Sequence, residues 1–353
     1  MARYDALVVG GGQAGLGIAY RLKEAGLEFT IVDAHEHTGD SWRERWDSLE
    51  LFTPREFDYL PGMKMPSTAP KYPRKEDVAS FLQTYQERFA LPVLNNFQVQ
   101  KLERTANGFT VSGPADSLEA KQVIIAAGPF HTPRIPDFAV SLSADVWQGH
   151  SHTYRRPADV PDGNVLVVGG GNSAAQIAEE LSSTHTVTIA SNGPMGFSPK
   201  SVLGVSIFWV LHLTGMLRSD KDAAISRYVR PYSDTVIGRS LKKLIDKGTV
   251  THIPHAAVGC EDATVTFADG SAHAYSNVLW CTGYRPSYDW LKVDGALDDQ
   301  GAPLQDHGIS PVPGLFWLGL PWQGKLNSAL MNGVSGESEA LMANVLRSHK
   351  DLS

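Results

Sequence analysis

The sequence predicts an α/β fold made of two Rossmann-type units, each carrying a β-meander, and three observations predict it. Strand, glycine turn, helix and strand follow one another twice along the chain. Each copy is followed by short alternating strands with turn signals, and then by an apolar strand that runs into small residues. The chain has 353 residues, too many for one ordinary core and enough for about two domains.

The first copy opens with the apolar run Ala6-Leu7-Val8-Val9, then Gly10-Gly11-Gly12-Gln13-Ala14-Gly15, then a helical pattern to Glu24-Ala25-Gly26. The strand Phe29-Thr30-Ile31-Val32 follows and ends in Asp33. The second copy opens with Asn164-Val165-Leu166-Val167-Val168, then Gly169-Gly170-Gly171-Asn172-Ser173-Ala174 and a helix through Ile177 and Leu181. Its second strand is Val187-Thr188-Ile189-Ala190, ending in Ser191-Asn192. A glycine fingerprint is informative only in this βαβ context, and here the context occurs twice. The meanders turn at Asn107-Gly108 and Asp269-Gly270, and the closing strands are Gln122–Gly128 and Asn277–Gly283.

Such turns hold dinucleotides for a physical reason. The first glycine allows the bend, the second lets the backbone approach a pyrophosphate, and the third lets helix and strand pack closely. The helix N-terminus then offers free N–H groups and partial positive charge. Asp33, at a strand end, is placed to accept hydrogen bonds from a ribose diol. In the second copy the third glycine is Ala174, and Ser191 stands where an acid would favour NAD or a cation would grip NADP. Lys200 and Arg218 follow in the next loop as the nearest cations, and the expected hydride donor is NADPH, with NADH tolerated.

Apolar residues make up 42% and charged residues 20%, as in ordinary globular proteins, and the net charge is −7. No basic stripe exists, so nucleic acid is excluded as a partner. The two cysteines, Cys260 and Cys281, form no CxxC pair, which excludes a dithiol redox centre and a paired-cysteine zinc site and fits a cytoplasmic setting. No metal is expected: His35-Glu36-His37 and His150-Ser151-His152 lack further ligands in any pattern. The N-terminus enters a strand directly and carries no signal-peptide pattern. The greasiest segment, Val202–Leu211, is shorter than the roughly 18 to 20 residues of a membrane span and reads as a buried or cleft-lining helix, with a membrane-contacting face as the lesser alternative. Phe208-Trp209 in it reads as core before substrate cage, and a homodimer is compatible with all of this.

Beyond the glycine turns, the chain carries Gly39-Asp40-Ser41-Trp42, Leu49-Glu50-Leu51-Phe52-Thr53-Pro54, Tyr72-Pro73, Ala127-Gly128-Pro129-Phe130, His150-Ser151-His152-Thr153-Tyr154-Arg155 and Cys281-Thr282-Gly283-Tyr284-Arg285-Pro286. In this combination it resembles the bacterial flavin-containing monooxygenases, relatives of the Baeyer–Villiger monooxygenases. The resemblance covers nearly the whole chain. It implies an FAD domain over residues 1–154 and 277–353, interrupted by an NAD(P)H domain over 155–276. It implies FAD contacts at Gly10, Gly12, Gln13, Ala14, Gly15, Asp33, Ala34, Gly39, Ser41, Trp42, Thr53, Val99, Ala127, Gly128 and Asn327. NAD(P)H would lie on Gly169, Gly171, Asn172, Ser173, Ala174, Ser191, Thr282 and Gly283. The helix after Asn327-Ser328-Ala329 would point its N-terminus at the flavin ring.

The family chemistry runs by hydride transfer to FAD and oxygen insertion by a C4a-peroxyflavin into a small sulfide, amine or ketone. The flavin carries the reaction, and no catalytic side chain is assigned. Two features depart from the family pattern. The stretch before His150 lacks the usual aromatic and glycine spacing, and Pro54 follows Thr53 where many members carry asparagine. The second departure predicts a shorter-lived oxygenated flavin and more hydrogen peroxide. An NAD(P)H-dependent flavin reductase or oxidase with another acceptor, and a non-catalytic flavin redox sensor, are the alternative readings.

Overall fold

The structure is a computed structural model that describes residues 3–232 and 235–351. Two separate sheets with parallel cores organise it. In the first, Arg3–Val9 lies between Phe29–Val32 and Ser117–Ile125, parallel to both. Val93–Leu94 extends the parallel edge beyond Phe29–Val32. The nine-residue strand Ser117–Ile125 does two jobs. Its first half pairs with the meander strand Gly108–Ser112, and its second half carries Leu315–Trp317 in parallel. Lys101–Thr105 and Leu291–Lys292 complete the meander side. Val8 and Ile31 are fully buried, as runs covered on both faces of a parallel sheet should be.

The second sheet is parallel throughout, in the order Trp147–His150, Asn277–Trp280, Asn164–Val168, Thr186–Ala190, Val250–Ile253. Its meander, Ala257–Glu261, Thr264–Phe267 and Ala272–Ala274, forms a small antiparallel sheet of its own. The α/β fold with two Rossmann-type units and two meanders is therefore present.

Sheet membership divides the chain differently from the expected boundaries at 154/155 and 276/277. Trp147–His150 and Asn277–Trp280 both belong to the second sheet. The reason is register: Asn277–Trp280 is the closing strand of the second unit, aligned residue by residue with Val165–Val168, and Trp147–His150 adds beyond it. The chain crosses between units at Thr132–Pro133 and returns at Tyr284–Arg285, and these two segments pair antiparallel.

The helix Gln13–Glu24 packs on the long C-terminal helix Met331–Asp351. A side chain at Gly17 would meet the Val334 methyl group, so the two helices approach at a position that only glycine allows. Gly17→Ala is expected to cost about 1–3 kcal/mol in urea unfolding, as overpacking does. Adding Val334→Ala should recover part of that loss, a coupling that a double-mutant cycle reads directly.

Candidate functional site

At the end of the strand Arg3–Val9 the chain turns at Gly10, whose φ of +107° favours glycine. A Cβ there would stand 2.5 Å from the Ala126 carbonyl oxygen. A Cβ at Gly15 would run into the Gly10 carbonyl. Gly12 differs from both, because no heavy atom lies within 4 Å of its missing Cβ. Two glycines thus bring backbone against backbone, and the middle one faces open space. Gly12 is also the N-cap of Gln13–Glu24 and offers no side-chain cap, which leaves the first N–H groups of the helix directed outward.

Asp33 closes this turn. Its carboxylate accepts the Gly11 N–H at 2.5 Å, and the other oxygen accepts the His35 N–H at 2.8 Å and meets the His35 ring at 2.8 Å. Burial alone would push the Asp33 carboxyl up, but the His35 and Gly11 hydrogen bonds outweigh it and hold it below the ordinary range. The same pairing raises the His35 imidazole. Ala34 beside it is exposed. The Gln13 amide donates to the Ala329 carbonyl at 3.0 Å, tying the turn to the segment before Met331–Asp351. There Asn327 donates to Asn332 at 2.7 Å. Its Oδ1 and the Asn332 Nδ2 are buried with no partner among the described residues. Ala14 is buried, Val99 and Ala127 pack on one cluster with Val9 and Val32, and Gly128 has φ +72°. Gly10, Gly12, Gln13, Ala14, Gly15, Asp33 and Ala127 therefore gather around one open turn, which Gln13 ties to the segment carrying Asn327.

Gly39 packs against the backbone of the helix Lys75–Arg88 and caps the short turn that carries Ser41 and Trp42. Trp42 touches the cores of both units. Thr53 is buried and donates to Asp58 at 2.7 Å.

The second turn repeats the first. Gly169 has φ +145° and abuts the Cys281 carbonyl, and Gly171 faces open space. Ala174 is buried in place of the third glycine, and Ser173 is half-buried at the helix start. Asn172 is engaged: its Oδ1 accepts the Ile237 N–H at 2.9 Å. Ser191 occupies the place of Asp33, donating to the Gly193 carbonyl at 2.7 Å and meeting the His252 ring at 2.8 Å. Thr282 and Gly283 sit where the two chain crossings pair. The Thr282 hydroxyl donates to the Arg134 carbonyl, and the Gly283 carbonyl lies 3.1 Å from His150 Nε2. The two cations that follow in the next loop are committed elsewhere: Lys200 pairs with Glu50 at 2.5 Å over the Tyr72 ring, and Arg218 reaches the Tyr59 hydroxyl.

Asp58 is the residue that sequence reasoning missed. It is 1% exposed, and its Oδ2 has no partner among the described residues. Burial pushes its carboxyl up to about 7, against the Thr53 hydrogen bond and helped by the Glu56 charge. An acid set between the aromatics Phe57 and Tyr59 was the available signal. Cys281 is also raised by burial, to about 12, so it is a packed thiol, and both cysteines are free.

Comparison with known proteins fits this arrangement. The profile of a family described as pyridine nucleotide-disulphide oxidoreductase matches residues 7–207. A protein of Geobacillus kaustophilus named an uncharacterized oxidoreductase, CzcO-like, is 40% identical over 97% of this chain and 98% of its own. The solved structure of a flavin-containing monooxygenase from Stenotrophomonas maltophilia superposes with a TM-score of 0.83 at 29% identity, covering 98% of this chain and 99% of that one. Cyclohexanone monooxygenase in its open form shares the fold, with a TM-score of 0.73 at 14% identity over 97% of this chain and 88% of that one.

The site generates two predictions. Gly15→Ala should impair folding, read as a lower melting temperature, whereas Gly12→Ala should leave the melting temperature within about 1 °C, as a substitution into open space does. Asp58 supplies a pH signature. Its folded pKa is raised from 3.8 to about 7, so the stability it carries is complete below pH 4 and is lost as pH rises towards 7. Asp58→Asn keeps an acceptor for Thr53 and removes that loss. The variant should gain on the parent chain by up to about 4 kcal/mol between pH 4 and pH 8 in urea unfolding.

Proposed function

The chain belongs to the pyridine nucleotide-disulphide oxidoreductase family, and from that premise we propose that it is an NAD(P)H-dependent flavoprotein monooxygenase acting on a small sulfide, amine or ketone. One observation carries the reading: two glycine turns, each with its middle glycine, Gly12 and Gly171, facing open space at the start of a helix. Two such cradles suit two dinucleotides, and with both cysteines free and unpaired no dithiol stands ready to take the electrons. The buried, unpartnered Asn327 Oδ1 and Asn332 Nδ2 near the first turn fit a polar cofactor that would satisfy them.

FAD and a nicotinamide dinucleotide are the cofactors. The N–H groups above Gly12 would receive the FAD pyrophosphate, and Asp33 the ribose beside it. Ala34, Gly39, Ser41, Trp42, Thr53, Val99, Ala127, Gly128 and Asn327 would line the remainder. Gly169, Gly171, Asn172, Ser173, Ala174, Ser191, Thr282 and Gly283 would hold the hydride donor. With no acid in place of Ser191 to reject a 2′-phosphate, that donor is NADPH, with NADH accepted. When bound, FAD supplies the hydride acceptor and the activation of dioxygen. The chain's own task is to orient and to exclude water. Trp42, against both cores, closes the space between the units. Asp58 retains a proton at its Oδ2 up to near-neutral pH and engages the Thr53 hydroxyl through the other oxygen. The first peptide units of Met331–Asp351 carry positive partial charge, which would favour negative charge on a flavin bound beside Asn327.

A flavin reductase or oxidase is the second reading, favoured by Pro54, which offers no side-chain amide after Thr53. Steady-state assays that count NADPH consumed, peroxide released and oxygenated product formed separate the two. Product matching NADPH supports the monooxygenase, and NADPH returned wholly as peroxide excludes it. Gly12→Val is expected to fold and to purify without FAD. Gly171→Val should retain the yellow colour yet resist reduction by NADPH by at least about a hundredfold, the scale on which misplaced reactants lose rate. Equal loss of FAD in both variants would refute the assignment of the two turns.

A further inference from the structure

The turn after Thr53 buries an acid that the protein itself leaves half-satisfied. Asp58 is 1% exposed, and its Oδ1 accepts the Thr53 hydroxyl at 2.7 Å. Its Oδ2 is buried with no partner among the described residues. No cation among them pairs with it: Arg55 lies beside Glu56 at 3.7 Å, and Arg218 stops at the Tyr59 hydroxyl at 3.4 Å. The nearby charge that Asp58 does feel is that of Glu56, which opposes ionisation as burial does. A carboxyl so placed keeps its proton. Since Thr53 donates to Oδ1, the proton sits on Oδ2 and forms a buried donor without an acceptor. Such donors are rare in folded chains, and the missing acceptor points to a bound molecule.

The neighbours of Asp58 identify that molecule. Leu51, at the head of the same segment, packs on the cores of both units. Phe52 and Phe57 meet Phe208, and Leu326 and Leu330 join the same cluster. Tyr59–Leu60, directly after Asp58, packs on the helix Met331–Asp351. On that wall Asn327 Oδ1 and Asn332 Nδ2 are also buried and unpartnered. Two segments that pack together thus leave an acceptor and two donors unsatisfied, and the edge of a flavin ring offers the complementary carbonyl, ring nitrogen and N–H groups. We propose that Asp58 is a cofactor contact, its Oδ2–H donating a hydrogen bond to an acceptor atom of the flavin ring while Thr53 fixes the carboxyl from the other side. This contact exists only in the FAD-bound protein and so rests on the flavoprotein reading above. It makes the hold on FAD depend on pH. Burial pushes the Asp58 carboxyl up to about 7, so the donor is present below that pH and is lost as pH rises through it, leaving an anion against the same acceptor.

The test measures FAD affinity by quenching of flavin fluorescence, on the full chain stripped of flavin, from about pH 5.5 to about pH 9. His35 at the first turn also titrates, so the parent is compared with Asp58→Asn, which keeps His35. Asparagine supplies a donor that does not titrate and an acceptor for Thr53, whereas Asp58→Leu supplies neither. Asp58→Asn should match the parent at the acid end and bind about tenfold more tightly than the parent at the alkaline end, the scale of losing one required proton. Asp58→Leu should bind about tenfold more weakly than Asp58→Asn throughout. If the leucine variant does not fold, the asparagine comparison decides alone. In the infrared, the C=O stretch of a protonated carboxyl that Asp58→Asn removes should shift when FAD binds. Equal pH dependence in the parent and Asp58→Asn, or a carboxyl band that FAD leaves in place, overturns the contact while FAD binding stands. A parent chain that takes up no FAD at any pH overturns the flavoprotein reading and the contact with it.

Discussion

Backbone carbonyls pressed against glycine are the constraint on which the two cradles depend. The Ala126 carbonyl fills the space where a side chain at Gly10 would begin, and the Cys281 carbonyl does the same at Gly169. Both carbonyls belong to the segment that leaves the closing strand of the unit, so closure of the sheet and shape of the turn are one event. The open face at Gly12 and at Gly171 follows from that contact, because the chain is already committed on its other side. A site of this kind is assembled by main-chain geometry, and side chains only decorate it.

The decoration is where the two turns part. Asp33 brings a half-buried charge to the first, held by hydrogen bonds from the Gly11 and His35 N–H groups and by the His35 ring. Ser191 and His252 bring neutral partners to the second, with the ring of His252 lowered by burial. Asp58 adds a different element, a carboxyl kept neutral by its surroundings near the junction of the units. A buried acid without an ionic partner is costly in any fold, and such costs concentrate at working sites.

The architecture was legible in the residue order because its signals are local. Apolar runs, glycine triplets and the turns at Asn107-Gly108 and Asp269-Gly270 each act within a few residues, and each stands where expected. What stayed hidden is long-range. The division of the chain between the sheets depends on Trp147–His150 choosing Asn277–Trp280 as neighbour, a pairing that no local pattern encodes. The commitment of Lys200 to Glu50 joins residues far apart in sequence, so a cation that looked free for a phosphate is not. Asp58 carries no sequence motif, because its burial is set by packing around a two-stranded turn, Tyr59–Leu60 with Met63–Lys64. The segment around Ile207–Leu213 reads in sequence as a buried or cleft-lining helix, and the structure buries its Phe208 side only, since periodicity cannot tell an inward apolar face from an outward one when both are apolar.

The antiparallel pairing of Thr132–Pro133 with Tyr284–Arg285 bears on how such a chain could have arisen. The second unit enters and leaves through one two-stranded ribbon, so its ends are neighbours. An insertion with adjacent ends perturbs its host as little as a lengthened hairpin would, because joining it closes only a short loop. The unit is in this sense a cassette: a different partner domain could be spliced at the same ribbon without redrawing the host sheet.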